Sequence, residues 1–312
     1  MTPVSNTSPD TLNSRSLVFV GGTGRSGTHI LGRLLGEHAA FADVPIEARF
    51  HCNKRGLPDL LEGRVSLGGF MEKLREFWWH RIRVDEQPRG LYSLMYRSAF
   101  DNALERFESS YHTDPLAASR GLYLDLLWPL AEEERKPGLV EMSSHNVREA
   151  QMLRRLFPEA KVIHTVRDGR DAASSVTTKT WGPDDVVKGI GWWADRLRWI
   201  DRGVSGTEDG AAYGLPADRF HLVVLDDLVA GRREECLAGL CAFLGINPDD
   251  GMRAFFDEHM SASGMHRGRW AEGSGAIGRA RVRRRYERTL AQLRAEGNHV
   301  AAPLMDSLER LG

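Results

Sequence analysis

Residues 17–35 read LVFVGGTGRSGTHILGRLL, and the reading of this stretch decides the fold. Leu17-Val-Phe-Val-Gly21 is a short apolar run of β-branched and aromatic residues, the pattern of a buried parallel strand. A glycine-rich turn follows, Gly21-Gly-Thr-Gly-Arg-Ser-Gly-Thr28. Apolar residues then recur at Ile30, Leu31, Leu34 and Leu35, which is helical spacing. A strand, a glycine loop and a helix start in this order aim backbone N–H groups and a helix N-terminus at an anion.

The loop nearly matches the nucleoside-triphosphate pattern GxxxxGK[ST], in the register Gly22-Thr-Gly-Arg-Ser-Gly27-Thr28-His29. Thr28 stands where the lysine belongs, and His29 stands where a Ser or Thr would hold Mg²⁺. The phosphate cradle is kept while the metal ligand and the lysine are not. The charge has moved inside the loop to Arg25, and a guanidinium fork suits a tetrahedral oxyanion without a metal.

Outward from this stretch, composition narrows the class. The chain has 312 residues with 41% hydrophobic content, enough for one large α/β domain with a sizeable core. A formal net charge of −1 gives no whole-protein attraction to nucleic acid or membrane. Charge is local: the basic run from Arg279 to Arg288 reads as a solvated helix face. The three cysteines, Cys52, Cys236 and Cys241, form no CxxC pair, which predicts reduced thiols and a cytoplasmic setting. Residues 1–16 are polar and read as a disordered lead-in. No apolar run is long enough for a transmembrane helix.

Strand and helix signals alternate along the rest of the chain. His38 to Asp43 reads as a turn, and Val44 to Phe50 as a second short strand running into a loop, with Glu47 where the strand ends. Carboxyl ends of strands in open α/β sheets face the ligand crevice, so Glu47 is a candidate for chemistry. Residues 52–138 read as a mostly helical insertion that shapes an acceptor pocket, with helices over 67–84, 97–109 and 122–134. Gly138 to Ser143 returns to strand character, and Asn146 to Phe157 is an amphipathic helix. Ala160 to Val166 is a clear strand that ends in Arg167-Asp-Gly-Arg-Asp171 and a helix to Thr178. This second charged turn again predicts an anion at a helix start. Trp192 and Trp199 fall on one helical face, as for packing. Phe220 to Leu225 is a further strand, Glu234 to Leu244 a helix capped by Gly245, and Tyr286 to Arg294 the last clear helical pattern. Met265 to Gly273 is a loop rich in glycine and arginine. The pattern implies a parallel sheet covered by helices on both faces.

Two anion-ready turns, a third Arg/Gly loop and no metal-ligand pattern fit a ligand with two separated phosphates. The chain resembles the sulfotransferases that use 3′-phosphoadenosine-5′-phosphosulfate (PAPS), in the branch of bacterial and protein-tyrosine sulfotransferases. Three segments carry the resemblance: Gly22 to Thr28, Phe157 to Ser175, and Val224-Leu-Asp-Asp-Leu228 with the helix after it. It implies a P-loop-like α/β fold, a central parallel sheet flanked by helices, as one domain over 17–312 with the 52–138 insertion. It also implies PAPS as co-substrate, PAP (adenosine 3′,5′-bisphosphate) as product, and no metal.

Position by position, the resemblance places Gly24, Arg25, Ser26, Gly27, Thr28 and His29 around the 5′-phosphosulfate. It places Arg167 and Ser175 on the 3′-phosphate, and Arg267, Gly268 and Arg269 in a loop closing over the nucleotide. Glu47 matches the catalytic carboxylate, with Arg25 as its partner in the chemistry; His51, His145 and Glu141 are the other candidate bases. A general base removes the acceptor's proton and is worth roughly 10²–10⁴ in rate. Relatives often carry Glu-Lys-Thr/Ser-Pro where this chain has Glu141-Met-Ser-Ser144, so Met142 replaces a lysine. The expected function is sulfuryl transfer to a hydroxyl acceptor, such as a natural product, carbohydrate, lipid or tyrosyl group. The alternatives are a P-loop-like kinase and a catalytically silent nucleotide-binding module. Nothing points to a nucleic-acid partner, and the oligomeric state is left open.

Overall fold

The structure is a computed structural model describing residues 16–80, 89–204, 216–272 and 275–311. The chain runs β1 (Ser16–Gly22), α1 (Thr28–Gly36), β2 (Phe41–Asp43), α2 (Leu57–Leu61), α3 (Leu67–Lys73), α4 (Arg97–Tyr111), α5 (Pro115–Glu133) and β3 (Gly138–Glu141). It continues through α6 (Ala150–Leu156), β4 (Lys161–Val166), α7 (Gly169–Thr177), α8 (Val186–Val204) and β5 (Phe220–Val224). Four helices close it: α9 (Arg233–Leu244), α10 (Asp250–His259), α11 (Ala276–Ala295) and α12 (Ala301–Leu311).

The five strands form one parallel sheet in the order β2-β3-β1-β4-β5. β1 is central because both of its faces are apolar. Leu17 and Phe19 join a core with α3–α6, while Val18 and Val20 join a second core with α1, α9 and α10. A third core packs α7, α8, α11 and α12 together. Strand order reverses at β1, with β3 on one side and β4 on the other. The carboxyl ends of these strands therefore border the crevice where open α/β sheets bind ligands.

Several expected boundaries shift for identifiable reasons. The strand expected over 44–50 is absent, and β2 lies instead at 41–43, inside the expected turn. Its ladder on β3 closes with Val44 N–H to Val140 O at 2.9 Å, and Pro45 has no N–H to continue it. Residues 44–50 are a loop, so Glu47 still lies beyond a strand's carboxyl end. The helix expected from Asn146 starts at Ala150, because the Asn146 side chain is drawn into the sheet's end by Val20 O and Glu141. The helix expected over 122–134 begins earlier, at Pro115, where the Asp114 carboxylate caps two backbone N–H groups. The helix expected over 67–84 is α3 continued by one π-helical turn, Leu74–Trp78, and its last positions lie outside the described residues. Ser16 belongs to β1, and the rest of the expected lead-in also lies outside them. All three cysteines are free. Arg279, Arg281, Arg283, Arg284 and Arg288 of α11 are exposed, the solvated face that the charge run predicts.

Candidate active site at the carboxyl ends of the strands

The loop between β1 and α1 is built from left-handed residues. Gly24, Arg25 and Gly27 have φ of 80°, 60° and 91°. Such a loop turns successive N–H groups towards one point. Gly27 cannot be replaced without strain, since a Cβ there would lie 2.7 Å from Leu225 Cδ2. Gly22 is equally confined, because its Cβ would meet Ser26 Oγ and Thr165 O at 2.4 Å. The N-terminus of α1 has no side-chain cap and no acidic residue in its first turn. Ser26 is fully buried, and its Oγ has no hydrogen-bond partner. An uncapped helix start above an orphaned hydroxyl is the donor set an oxyanion requires.

The second charged turn is built differently. Asp168 caps α7 with its own carboxylate, which accepts from Arg170 N–H at 2.8 Å. Gly169 N–H donates to the Tyr286 hydroxyl. The expected anion at this helix start is therefore displaced by the chain's own groups. Any phosphate here must be held by side chains instead. Arg167, buried at the end of β4, donates to the carbonyls of Met265 and His266 at 2.7 and 3.0 Å. Arg25 Nε donates to Ser175 Oγ at 2.9 Å, joining residues that the sequence assigns to opposite ends of one nucleotide.

The third loop is tied to the same corner. Gly268 and Trp270 N–H groups donate to the Asp171 carboxylate at 2.7 and 3.1 Å. Arg267 faces Asp226 at 3.8 Å, and the Arg269 side chain is exposed. Arg267, Gly268 and Trp270 line a cavity of about 730 Å³ shared with α11 and α12.

The other side of the β1–α1 loop is organised around Glu141, the last residue of β3. Its buried carboxylate accepts from Ala48 N–H at 3.1 Å, Ser143 N–H at 2.9 Å, Ser143 Oγ at 2.6 Å and Asn146 Nδ2 at 2.6 Å. His51 Nε2 lies 3.0 Å away, also fully buried. Burial alone would raise the Glu141 pKa; the His51 charge and these hydrogen bonds reverse this and bring it down to about 2. Burial opposes the His51 charge in the same way, but Cys52 and Glu141 raise its pKa well above the ordinary value. Both groups are thus spent on holding the 44–53 loop to the sheet.

Glu47 lies on that loop, with about 10% of its side chain exposed. Its carboxylate accepts from the Arg49 guanidinium and, at 3.4 Å, from Ser144 N–H. His29 Nε2, on the first turn of α1, is 3.8 Å away. Burial, then the charge of Arg89, lowers the His29 pKa, so this imidazole is neutral at neutral pH. Met142, in contrast, is buried in the core against Gly32 of α1. His145 pairs its Nδ1–H with Asn53 Oδ1, and its Nε2 accepts from Arg196 at 3.4 Å. Burial, then the charges of Arg148, Arg196 and Arg49, lowers its pKa to about 3.

Sequence reasoning missed Arg49, Asn53, Asn146 and Arg196. Only Arg196 left a signal, as the residue between Trp192 and Trp199 on one helical face. Among the described residues, no cluster of His, Cys, Asp and Glu could hold a metal ion, and no helix is long and apolar enough to cross a membrane.

Comparison with known proteins identifies the family. No curated protein matches the chain. Among solved structures, it is similar to the sulfotransferase domain of the Synechococcus PCC 7002 olefin synthase, with 19% identity, TM-score 0.49 and coverage of 89% of this chain and 96% of that one. The sulfotransferase domain from the curacin biosynthetic pathway matches at 19% identity and TM-score 0.47, over 81% of each chain. Mouse sulfotransferase SULT7A1, complexed with PAP, matches at 11% identity and TM-score 0.45, over 94% of this chain and 89% of that one. The profile of the sulfotransferase family spans residues 17–251, from the start of β1 into α10. The chain with the uncapped Gly22–Thr28 loop therefore belongs to the sulfotransferase family.

Proposed function

We propose that the protein transfers a sulfuryl group from PAPS to a hydroxyl acceptor, with Glu47 as general base and without a metal ion. The observation that carries this reading is the pairing of an uncapped α1 N-terminus, above the orphaned Ser26 hydroxyl, with the Glu47 carboxylate beside His29 on the same turn. The residues present fit the nucleotide. Loop N–H groups from Gly24 to Thr28 and the open helix end take the 5′-phosphosulfate, with Arg25 beside them. Arg167 and Ser175 take the 3′-phosphate, and Arg267–Arg269 close over the nucleotide.

In the reaction the acceptor oxygen attacks sulfur in line with the bridging oxygen. The S–O bond to the 5′-phosphate breaks, and Glu47 takes the acceptor's proton. Arg25 and the loop N–H groups stabilise the charge that develops on the leaving phosphate. His145 is a poor base because its pKa is held near 3. Glu141 and His51 are poor bases because both are fully buried, the Glu141 oxygens are taken by Ala48, Ser143 and Asn146, and His51 Nε2 is engaged by Glu141 and Asn146.

The decisive experiment compares PAPS with EDTA against ATP with Mg²⁺, using a panel of hydroxyl acceptors. Transfer from PAPS in EDTA is expected. Transfer only from ATP with Mg²⁺ would replace this reading with a kinase, and PAPS binding without turnover would leave a silent nucleotide-binding module. A further prediction concerns the 3′-phosphate. Loss of a hydrogen bond to a charged group costs about 1.5–3 kcal/mol, so Arg167→Ala should weaken PAP binding roughly 10–100-fold and spare AMP. Calorimetric titration with both nucleotides checks it; equal losses would remove Arg167 from the 3′-phosphate.

A further inference from the structure

The face of α8 that meets the β1–α1 loop carries a cation that the fold does not neutralise. Trp192, Arg196 and Trp199 lie one helical turn apart along this face. A Cβ on Gly24 would sit 3.9 Å from Trp192, so the face packs directly on the loop. The Arg196 guanidinium is held between the two rings, 5.4 Å from the Trp192 centroid and 5.1 Å from that of Trp199. Stacking of this kind fixes the plane of the fork without consuming its N–H donors.

Among the described residues no carboxylate lies within ion-pair distance of Arg196. Its hydrogen-bond partner is His145 Nε2, a neutral acceptor. Arg148 adds to the imbalance. It covers the same Trp199 ring at 4.0 Å, and its own charge is met by Glu149. Its Nε is buried with no hydrogen-bond partner. Of these two half-buried guanidinium groups, Arg148 thus has a carboxylate beside it and Arg196 has none among the described residues. A buried charge without a counter-charge is costly, and an arrangement of this kind is stabilised when a ligand supplies the anion.

The location says which anion. Arg196, Arg148 and His145 line a narrow cleft with Gly22, Thr23 and Ser144. Ser144 donates its N–H to Glu47 Oε1, so the cleft adjoins both the start of the anion loop and the backbone that holds the candidate base. Arg25, by contrast, is turned towards Ser175 on α7.

We propose that Arg196 is a substrate-binding residue that donates its guanidinium fork to the sulfuryl oxygens of bound PAPS. The assignment rests on the PAPS reading of the site. On that reading the sulfuryl group is the anionic part of the donor that lies between the loop and Glu47. The nucleotide's own phosphates are held by the loop and by Arg167.

The test is a calorimetric comparison of PAPS with PAP, which lacks the sulfuryl group, in wild type, Arg196→Met and Arg196→Lys. Arg196→Met should lose roughly 10–100-fold in PAPS affinity, the range for one hydrogen-bonded charge, and keep its PAP affinity. Arg196→Lys restores the charge without the planar fork and should recover part of the loss. Thermal unfolding of both variants reports whether the tryptophan sandwich is intact, and Arg196→Lys keeps the comparison available should Arg196→Met not fold. Equal losses for PAPS and PAP, or no loss for either, would overturn the assignment to the sulfuryl group. Wild type that binds neither nucleotide would instead overturn the reading of the site on which it rests.

Discussion

Glu47→Gln is expected to lower kcat by roughly 10²–10⁴, the range for loss of a general base, with donor affinity retained. The proposed base sits on a loop, yet its position is fixed. Ser144 N–H and the Arg49 guanidinium hold the two carboxylate oxygens, and the loop behind it is tied to Glu141 through Ala48 N–H. Glutamine keeps the volume and the oxygen facing Ser144 but cannot take a proton. The loss should therefore fall on kcat and leave PAPS binding intact. Single-turnover measurement with saturating PAPS isolates the chemical step, and unchanged turnover would remove Glu47 as the base. Glu47→Asp retains a carboxylate one methylene short, so a partial recovery is the accompanying expectation. His29 provides a useful contrast. Its imidazole is 3.8 Å from Glu47 and is neutral, so His29→Gln should alter kcat far less than Glu47→Gln.

The second large effect is on stability. Glu141→Ala should destabilise the protein by about 3–5 kcal/mol, the cost of breaking a buried ion pair by removing one partner. The substitution strands the His51 charge and leaves Ala48 N–H, the Ser143 N–H and hydroxyl and the Asn146 amide without their acceptor. Denaturant unfolding measures it, and a loss under 1 kcal/mol would contradict the structural role. The pair also sets a pH dependence. The folded Glu141 pKa of about 2 lies below its ordinary value of 4.5. Its contribution is therefore present above pH 4.5 and is lost as the pH falls towards 2. The His51 pKa is raised, so its contribution is complete below pH 6.5 and is lost only as the pH rises through the higher folded value. Glu141→Gln should flatten the acid limb of the wild-type stability profile. An acid limb identical in the two proteins would show that other carboxylates carry it.

The position of Glu47 illustrates how far a sequence argument reaches. The sequence places Glu47 at the end of a strand within 44–50, whereas the strand is Phe41–Asp43 and Glu47 lies on the loop after it. The apolar spacing around Val44 and Ile46 suggested pairing, but Pro45 cannot donate to the ladder. Similarly, the glycines, charges and apolar run around 160–171 gave the strand and helix correctly. They could not reveal that the Asp168 carboxylate occupies its own helix's N-terminus. Asp at a helix start serves equally as a cap or as a neighbour of a ligand, and the choice depends on which way one side chain turns.

What the sequence by itself determined is local: the β1–loop–α1 unit, the alternation of strands and helices, and the missing lysine and metal ligand. These follow from periodicity, from glycine's access to positive φ and from side-chain chemistry within about ten residues of chain. What only the tertiary structure decided is which distant groups meet. Arg25 and Ser175 are 150 residues apart, Glu47 and Ser144 97, and Arg196 and His145 51. The strand order β2-β3-β1-β4-β5 brings the ends of β3, β1 and β4 side by side, and the packing of α8 on Gly24 lays its tryptophan face against them. Burial then separates carboxylates and histidines that look alike in the sequence. Glu141 and His51 become a locked pair, while Glu47 keeps about 10% of its side chain exposed, because only one of the two carboxylates has all its lone pairs taken by the protein itself.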